Sequence, residues 1–261
     1  MPLASEGTAR QVIRRPAVHR PGGPPPWGHL APAARHGLDL ARVTARLAAY
    51  RPAAGLDTAE VAVVRGINGS DVDGTRAAVL VPLFEEAAET RVVLTVRAAH
   101  LRSHRAEVAF PGGRLDAEEG IEDAARREAS EEVGLDPASV RVVRHLTSLP
   151  TVGSNTVMTP VVATLPARPT LVPQPTEVER VFDLALADLL ADGVFAEEWW
   201  AVPGRPGLDG RPGGEYPVWF FEAAGEIIWG ATARVLVELL AVALDVAPPV
   251  GRPGAGRYEI P

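Results

Sequence analysis

The chain has 261 residues, of which 46% are hydrophobic and 23% charged, and it carries a formal net charge of −7 at pH 7. This balance is typical of a globular protein and excludes a wholly disordered chain, a coiled coil or a collagen-like fibre. The acidic surplus argues against a general nucleic-acid binder. The lack of cysteine excludes disulfide scaffolds, cysteine zinc sites and thiol nucleophiles.

The two ends of the chain differ in composition from its middle. Residues 1–30 and 247–261 are rich in Pro, Gly and Arg and carry no periodic apolar residues. We therefore expect flexible or loosely docked arms around one domain of residues 31–246. The N-terminus lacks the apolar core of a signal peptide, and the longest apolar stretch, Val235–Val246, is too short to span a bilayer. The sequence thus predicts a cytoplasmic protein that does not bind a membrane.

Strand-like and helix-like segments alternate within the expected domain. In chain order, the patterns predict a helix over 38–50, a hairpin of strands 77–84 and 92–97, a helix over 121–133 ended by Gly134, strands at 140–143 and 157–164, a short helix or ordered turn over 182–190, a mobile loop over 201–215, a hairpin of strands 218–222 and 226–229, and a helix over 231–244. Interspersed strands and helices of this kind indicate a layered α/β fold.

The stretch from Gly113 to Leu135 concentrates acidic residues on the predicted helix. Glu128 lies three and four positions before Glu131 and Glu132, so the three carboxylates project from nearly one face. Like charges at this spacing repel one another unless cations neutralise them. Hard oxygen ligands on one face suit Mg²⁺ or Mn²⁺, which bind carboxylates together with phosphate oxygens. Taken alone, three such carboxylates more often form a solvated acidic helix face than a metal site.

The spacing around these glutamates resembles the Nudix box, G-x5-E-x7-R-E-U-x-E-E-x-G-U, in which U is apolar. The residues that match its fixed positions are Gly113, Glu119, Arg127, Glu128, Glu131, Glu132 and Gly134. The resemblance implies the Nudix hydrolase fold, which is α/β with a mixed β-sheet sandwiched between α-helices (α/β/α). It also implies that the box forms a loop, a helix and a second loop.

The resemblance implies a role for each matching side chain. Glu128 and Glu132 would be metal ligands, and Glu131 would be a third ligand or the catalytic base. Arg127 would orient the carboxylates through charge-assisted hydrogen bonds. Glu119 would hold the helix in place or contact a metal through water.

A second resemblance lies directly upstream, in VLTVRAAHLRSHRAEVAFPGG (93–113). It is similar to the signature of the coenzyme A pyrophosphatase branch of the Nudix family. The matching residues are Leu94, Thr95, Arg97, Ala98, Arg102, Phe110, Pro111, Gly112 and Gly113. Ala106 stands where that branch has glycine, and alanine carries a cost there if the position requires a positive φ.

The upstream motif supplies candidate substrate-binding residues, namely Arg97, Arg102, Phe110, Gly112 and Gly113. Arginine binds phosphate oxygens bidentately, and coenzyme A carries a pyrophosphate and a 3′-phosphate. The alternative is that these arginines only pair with the acidic helix. Further along the chain, Glu177 matches another family glutamate and is a candidate metal ligand or general base.

Together the two motifs predict a Mg²⁺- or Mn²⁺-dependent pyrophosphohydrolase. Its expected reaction cleaves coenzyme A or a derivative into 4′-phosphopantetheine and adenosine 3′,5′-bisphosphate. The expected partner is a nucleotide-type small molecule, and a homodimer stays open. One alternative is another Nudix substrate, such as ADP-ribose, a dinucleotide or an oxidised nucleoside triphosphate, which Ala106 keeps open. The other alternative is a non-catalytic Nudix module that senses a nucleotide.

Overall fold

The structure, a computed structural model, describes residues 11, 13–52, 75–101, 103–150, 156–201 and 214–249. Its strands are β1 (Val18–Pro21), β2 (Thr75–Glu86), β3 (Glu89–Arg97), β4 (Val108–Ala109), β5 (Gly112–Arg114), β6 (Arg141–His145), β7 (Leu149–Pro150), β8 (Thr156–Thr164), β9 (Val178–Ala185), β10 (Phe195–Ala201), β11 (Glu215–Ala223) and β12 (Glu226–Trp229). Its α-helices are α1 (Leu40–Ala49), α2 (Ile121–Val133), α3 (Leu186–Leu189) and α4 (Gly230–Leu244).

These strands form two sheets. The larger sheet has eight strands, with a main path of β4-β3-β2-β8-β6, and β5, β7 and β9 pair with β2, β8 and β3. It is mixed, because β2 and β8 run parallel whereas β2 and β3 form an antiparallel hairpin. The smaller sheet is antiparallel, in the order β1-β10-β11-β12.

Helices cover both faces of the larger sheet. Along β2, Ala78 and Leu80 belong to the core beneath α2, whereas Val79 and Val81 belong to the core shared with α1 and α4. This alternation follows from strand geometry, since successive side chains point to opposite faces. The layered α/β fold that the sequence predicts, and the α/β/α arrangement that the resemblance implies, are therefore present. No helix in the described ranges combines the length and apolar character that a membrane span requires.

Most predicted elements appear near their expected bounds, but the segment 182–190 differs. The sequence predicts a short helix or ordered turn there, whereas residues 182–185 complete strand β9 and only Leu186–Leu189 is helical. The backbone of β9 pairs antiparallel with β3, and this pairing decides its conformation. The sequence patterns do not predict strands β1, β4, β5, β7 and β10. Of the expected mobile loop over 201–215, residues 202–213 lie outside the described residues.

The second half of the expected N-terminal arm packs on the folded domain. Strand β1 pairs with β10, and the Trp27 side chain is only 1% exposed, with its ring against Phe195 and Phe221. This part of the expected flexible or loosely docked arm is therefore docked on the domain. Its Pro and Gly content gave no sign of packing, because single anchor residues such as Trp27 leave no periodic pattern. Residues 1–10 and 250–261 lie outside the described ranges.

Candidate active site

Helix α2 carries the acidic motif, and local signals fix where it begins and ends. Gly120 occupies the N-cap position, and Glu122 and Asp123 lie in the first turn, where negative charge complements the positive end of the helix dipole. Gly134 ends the helix in the left-handed conformation, with φ of 66°. The three glutamates of the motif consequently lie in the last two turns.

Glu132 is the buried acid of this site, with 3% of its surface exposed. Its Oε2 accepts a hydrogen bond of 3.1 Å from the backbone N–H of Gly112. Its Oε1 lies 3.9 Å from Nη1 of Arg97. Burial raises the pKa of the Glu132 carboxyl to about 7, although both of these neighbours favour the charged form. The protein thus holds this acid where one more positive charge would stabilise its ionised form.

The Glu128 carboxylate lies directly against the backbone of Gly113. A Cβ atom built on Gly113 would lie 2.5 Å from Oε1 of Glu128, so a side chain at this position would displace the carboxylate. Burial raises the pKa of Glu128, and the charges of Glu131 and Glu177 act in the same direction. A glycine at position 113 therefore makes room for an acid that has two acidic neighbours.

Arg127 connects the other acids of the motif. Its Nε and Nη2 donate to the two carboxylate oxygens of Glu119, at 2.9 and 3.0 Å. Its Nη1 donates to Glu128 and Glu131, at 3.0 and 3.1 Å, and Nη2 also donates to the backbone oxygen of Arg114. These hydrogen bonds lower the pKa of Glu119. One guanidinium thus orients three carboxylates and the strand before the helix.

The atoms that could coordinate a cation are carboxylate and backbone oxygens. Glu128 and Glu132 lie one helical turn apart, next to the Gly112–Gly113 backbone. Glu131 is more peripheral, since 61% of its side chain is exposed. In the ranges that the structure describes, no three His, Asp or Glu side chains form a ready-made metal cluster. The pair Glu128 and Glu132 nevertheless fits a hard divalent cation, because both are oxygen ligands in a cradle that only glycine leaves open.

The upstream motif brings one arginine to this cradle. Arg97, at the end of β3, is half-buried, and its Nε is buried without a hydrogen-bond partner in the described part of the chain. Arg102 lies outside the described residues. Phe110 is buried in the main core, so packing accounts for its position. Of the residues predicted to bind substrate, Arg97, Gly112 and Gly113 therefore lie next to the acidic motif.

The loop between β3 and β4 contains the alanine that departs from the resemblance. Ala106 is buried and has a φ of 56°, which is the left-handed conformation. Its N–H donates to the backbone oxygen of Arg97 at 3.1 Å, and the N–H of Arg97 donates to the backbone oxygen of Glu107 at 3.0 Å. The position does require a positive φ, and alanine occupies it at an energetic cost.

Glu177 lies in a segment that links the loop to the end of α2. The backbone oxygen of Glu177 accepts from the N–H of Ala98 at 2.9 Å, and the N–H of Gln174 donates to the backbone oxygen of Glu132 at 2.8 Å. The side chain of Glu177 is exposed, and its charge contributes to the raised pKa values of Glu128 and Glu132. The structure thus places Glu177 near both acids.

Comparisons with known proteins show what this chain is similar to. Residues 74–201 match the model of the NUDIX domain. A protein of Citrobacter koseri named uncharacterized Nudix hydrolase NudL is 34% identical over 183 residues, which cover 70% of this chain and 89% of the relative. Its namesake from Salmonella paratyphi B is 36% identical over 174 residues, or 66% of this chain and 84% of the relative. Among solved structures, the Nudix hydrolase RenU of M. smegmatis matches 45% of this chain and 74% of its own, with 24% identity and a TM-score of 0.40.

Proposed function

Because the chain belongs to the Nudix hydrolase family, we propose that it is a divalent-metal-dependent pyrophosphohydrolase acting on coenzyme A or a derivative. The products would be 4′-phosphopantetheine and adenosine 3′,5′-bisphosphate. The observation that carries the proposal is the position of Arg97. This cation of the upstream motif lies 3.9 Å from the buried carboxylate of Glu132, and its Nε is buried without a hydrogen-bond partner among the described residues.

Glu128 and Glu132 would hold Mg²⁺ or Mn²⁺, and Glu131 would be a third ligand or the base. A bound cation would stabilise charge on the phosphate oxygens and lower the pKa of a water molecule. The protein prepares the ligands in two ways. Arg127 orients Glu128 and Glu131 by direct hydrogen bonds, and the N–H of Gly112 orients Glu132.

Arg97 would bind the diphosphate of the substrate, since a guanidinium donates two parallel hydrogen bonds to phosphate oxygens. Gly112 and Gly113 let the backbone come close to the same place. The upstream motif alone supports the same role for Arg102, while burial assigns Phe110 to packing. Glu177 and Glu131 are the two candidates for the base, and the segment around Glu177 is tied to both the loop and α2.

The positive φ of Ala106 favours one further group of candidate substrates for the same class of reaction. An alanine in this conformation adds a methyl group and strain to the loop beside Arg97. This change favours another nucleoside diphosphate derivative, such as ADP-ribose, a dinucleotide or an oxidised nucleoside triphosphate. The non-catalytic sensing module is disfavoured, because the acids and the arginine of the box are assembled around Gly112 and Gly113.

A product analysis tests the proposal directly. The purified protein is incubated with coenzyme A, ADP-ribose, NADH or 8-oxo-dGTP in Mg²⁺ or Mn²⁺, and the products are separated by chromatography. We expect adenosine 3′,5′-bisphosphate from coenzyme A, and none from Glu132→Gln. Cleavage of another substrate alone would keep the reaction class and overturn the coenzyme A assignment. No cleavage under any condition would favour the sensing module.

We also propose, from the sequence alone, that the protein is cytoplasmic and that its partner is a small molecule and not a nucleic acid.

A further inference from the structure

A threonine hydroxyl from α4 closes the outer edge of β4. Thr232 lies in the first turn of α4, is 9% exposed, and donates from Oγ1 to the backbone oxygen of Val108 at 2.9 Å. Strand β4 has two residues and ends the main path of the larger sheet. The N–H of Arg97 donates to the oxygen of Glu107, so the alternation of an antiparallel ladder turns the next carbonyl, that of Val108, away from β3. Thr232 supplies the partner that this buried carbonyl requires.

Strand β4 fixes the exit of a loop that is under strain. Two described residues of the β3–β4 loop, His104 and Ala106, have φ values of 53° and 56°. The left-handed conformation is unfavourable for residues other than glycine, so it persists only where the surrounding structure holds it. The loop begins directly after Arg97 and closes on that residue through two backbone hydrogen bonds.

The residues that follow β4 in the chain are held by other contacts. The N–H of Leu80 donates to the backbone oxygen of Pro111 at 2.8 Å, and β5 pairs with β2. The turn that contacts Glu132 is therefore held by β2. The contact of Thr232 acts mainly on the loop and on Arg97.

We propose that Thr232 is a positioning residue for substrate binding. It fixes β4, and through β4 it holds the β3–β4 loop and the backbone of Arg97, without touching the substrate itself. This inference rests on the proposed function in one respect, namely that Arg97 binds the substrate. Thr232 lies outside both sequence motifs, 124 residues from its partner.

Steady-state kinetics with matched variants test the proposal. Thr232→Val keeps the shape of the side chain and removes the donor, whereas Thr232→Ser keeps the hydroxyl. The control is Thr90→Val, because the hydroxyl of Thr90 is also buried and donates to the backbone oxygen of Leu38 at 2.7 Å, at the opposite end of β3. We expect Thr232→Val to raise KM at least about fivefold, the equivalent of one ordinary hydrogen bond, with kcat and Mn²⁺ affinity changed less than about twofold. Thr232→Ser and Thr90→Val should keep the wild-type KM.

Amide hydrogen exchange in the metal-free protein gives a readout that needs no substrate. Thr232→Val should speed exchange at the amides of Arg97, Ala106 and Glu107 at least about fivefold, and Thr90→Val should not. If the wild type cleaves no diphosphate, the proposed function fails while exchange still tests the fixing of the loop. Unchanged KM and exchange in Thr232→Val, or an equal rise of KM in Thr90→Val, would overturn the proposal. Should Thr232→Val fail to fold, Thr232→Ala removes the same donor and takes its place.

Discussion

The carboxylate of Glu132 accepts a hydrogen bond from the backbone N–H of Gly112 at 3.1 Å. This contact joins the two sequence motifs, since Gly112 is the penultimate residue of the upstream motif and Glu132 lies in the last turn of α2. It also explains why the carboxylate keeps one orientation although its surroundings are apolar enough to raise its pKa to about 7.

Replacing Glu132 by Gln should abolish turnover while the fold is kept. The amide retains the size of the side chain but removes the charge that a divalent cation requires. Loss of groups that merely orient a metal ligand reduces activity about 10–100-fold, so loss of a ligand should reduce kcat by at least about 100-fold. Glu122→Gln, in the first turn of the same helix, is the matched control and should keep its activity. Thermal melting followed by circular dichroism checks that Glu132→Gln is folded. A wild-type kcat in this variant would contradict the assignment of Glu132 as a metal ligand.

Glu132 should also make the stability of the metal-free protein depend on pH. Its pKa is raised from an ordinary value of 4.5 to about 7, so the native state holds its proton more tightly than the unfolded state does. The stability that this group contributes is fully present below about pH 4.5 and is lost as the pH rises through 7. The free energy of unfolding of the wild type, relative to Glu132→Gln, should therefore fall by up to about 3 kcal/mol over this range.

Urea denaturation with a chelator present measures this difference at several pH values. If the stability relative to Glu132→Gln does not change between pH 4.5 and 7, burial does not raise the pKa of Glu132, and the prediction is wrong. Adding Mn²⁺ at pH 7.5 should raise the stability of the wild type and leave that of Glu132→Gln unchanged, because a ligand that binds only the folded state stabilises it.

The bounds of α2 could be predicted because local signals determine them. The apolar spacing, the acidic first turn and Gly134 all lie within the helix or next to it, and the observed helix ends as expected at Val133. Strand β10, with the sequence FAEEWWA, has no regular alternation of apolar and polar residues. Its conformation depends on pairing with β11 and β1, which come from distant parts of the chain. Propensity within the segment contains no information about those partners.

The acids of the candidate site and Arg127 could be predicted for a similar reason, whereas the backbone partners of the acids could not. Glu128 and Glu132 are distinctive because their spacing is that of one helix face. The N–H of Gly112 and the carbonyl of Arg114 also organise the site, but every residue carries these backbone groups. The Thr232 hydroxyl is a side-chain signal, yet only the fold brings it to Val108. Contacts of these kinds require the three-dimensional structure.

The turn between β2 and β3 should accept a stabilising double substitution. Ala87 and Ala88 form the two-residue loop of this hairpin, and the pair Glu86 and Glu89 flanks it. The φ values of Ala87 and Ala88 are 53° and 62°. Two positive φ angles define a type I′ turn, for which Asn-Gly is the preferred sequence. Replacing Ala87-Ala88 by Asn-Gly should raise the free energy of unfolding by about 1 kcal/mol, with kcat unchanged.

The control for this change is Ala45→Gly, at an exposed position in the middle of α1. The same substitution to glycine in a helix should lower the free energy of unfolding by about 1 kcal/mol. Chemical denaturation should therefore give opposite signs for the two proteins. The same sign for both would show that the turn is not strained.

Arg127→Lys should impair catalysis although the charge is kept. A guanidinium can donate at once to Glu119, Glu128 and Glu131, as the structure shows, whereas an ammonium is a single point charge without a planar fork. The carboxylate of Glu128 would lose its fixed orientation next to Gly113. We expect kcat and Mn²⁺ affinity to fall by about 10–100-fold, the range found when partners of metal ligands are removed.

Arg126→Lys is the matched control for this substitution, because Arg126 is the preceding residue on the same helix. Its guanidinium lies 3.6 Å from Glu122 and 3.8 Å from Asp123, at the far end of the helix from the acids of the site. Such longer surface ion pairs contribute little, so this variant should keep kcat and metal affinity within about twofold. Equal losses in both variants would mean that α2 responds to any change of its arginines. A loss confined to Arg127→Lys would show that its hydrogen bonds to the three carboxylates organise the site.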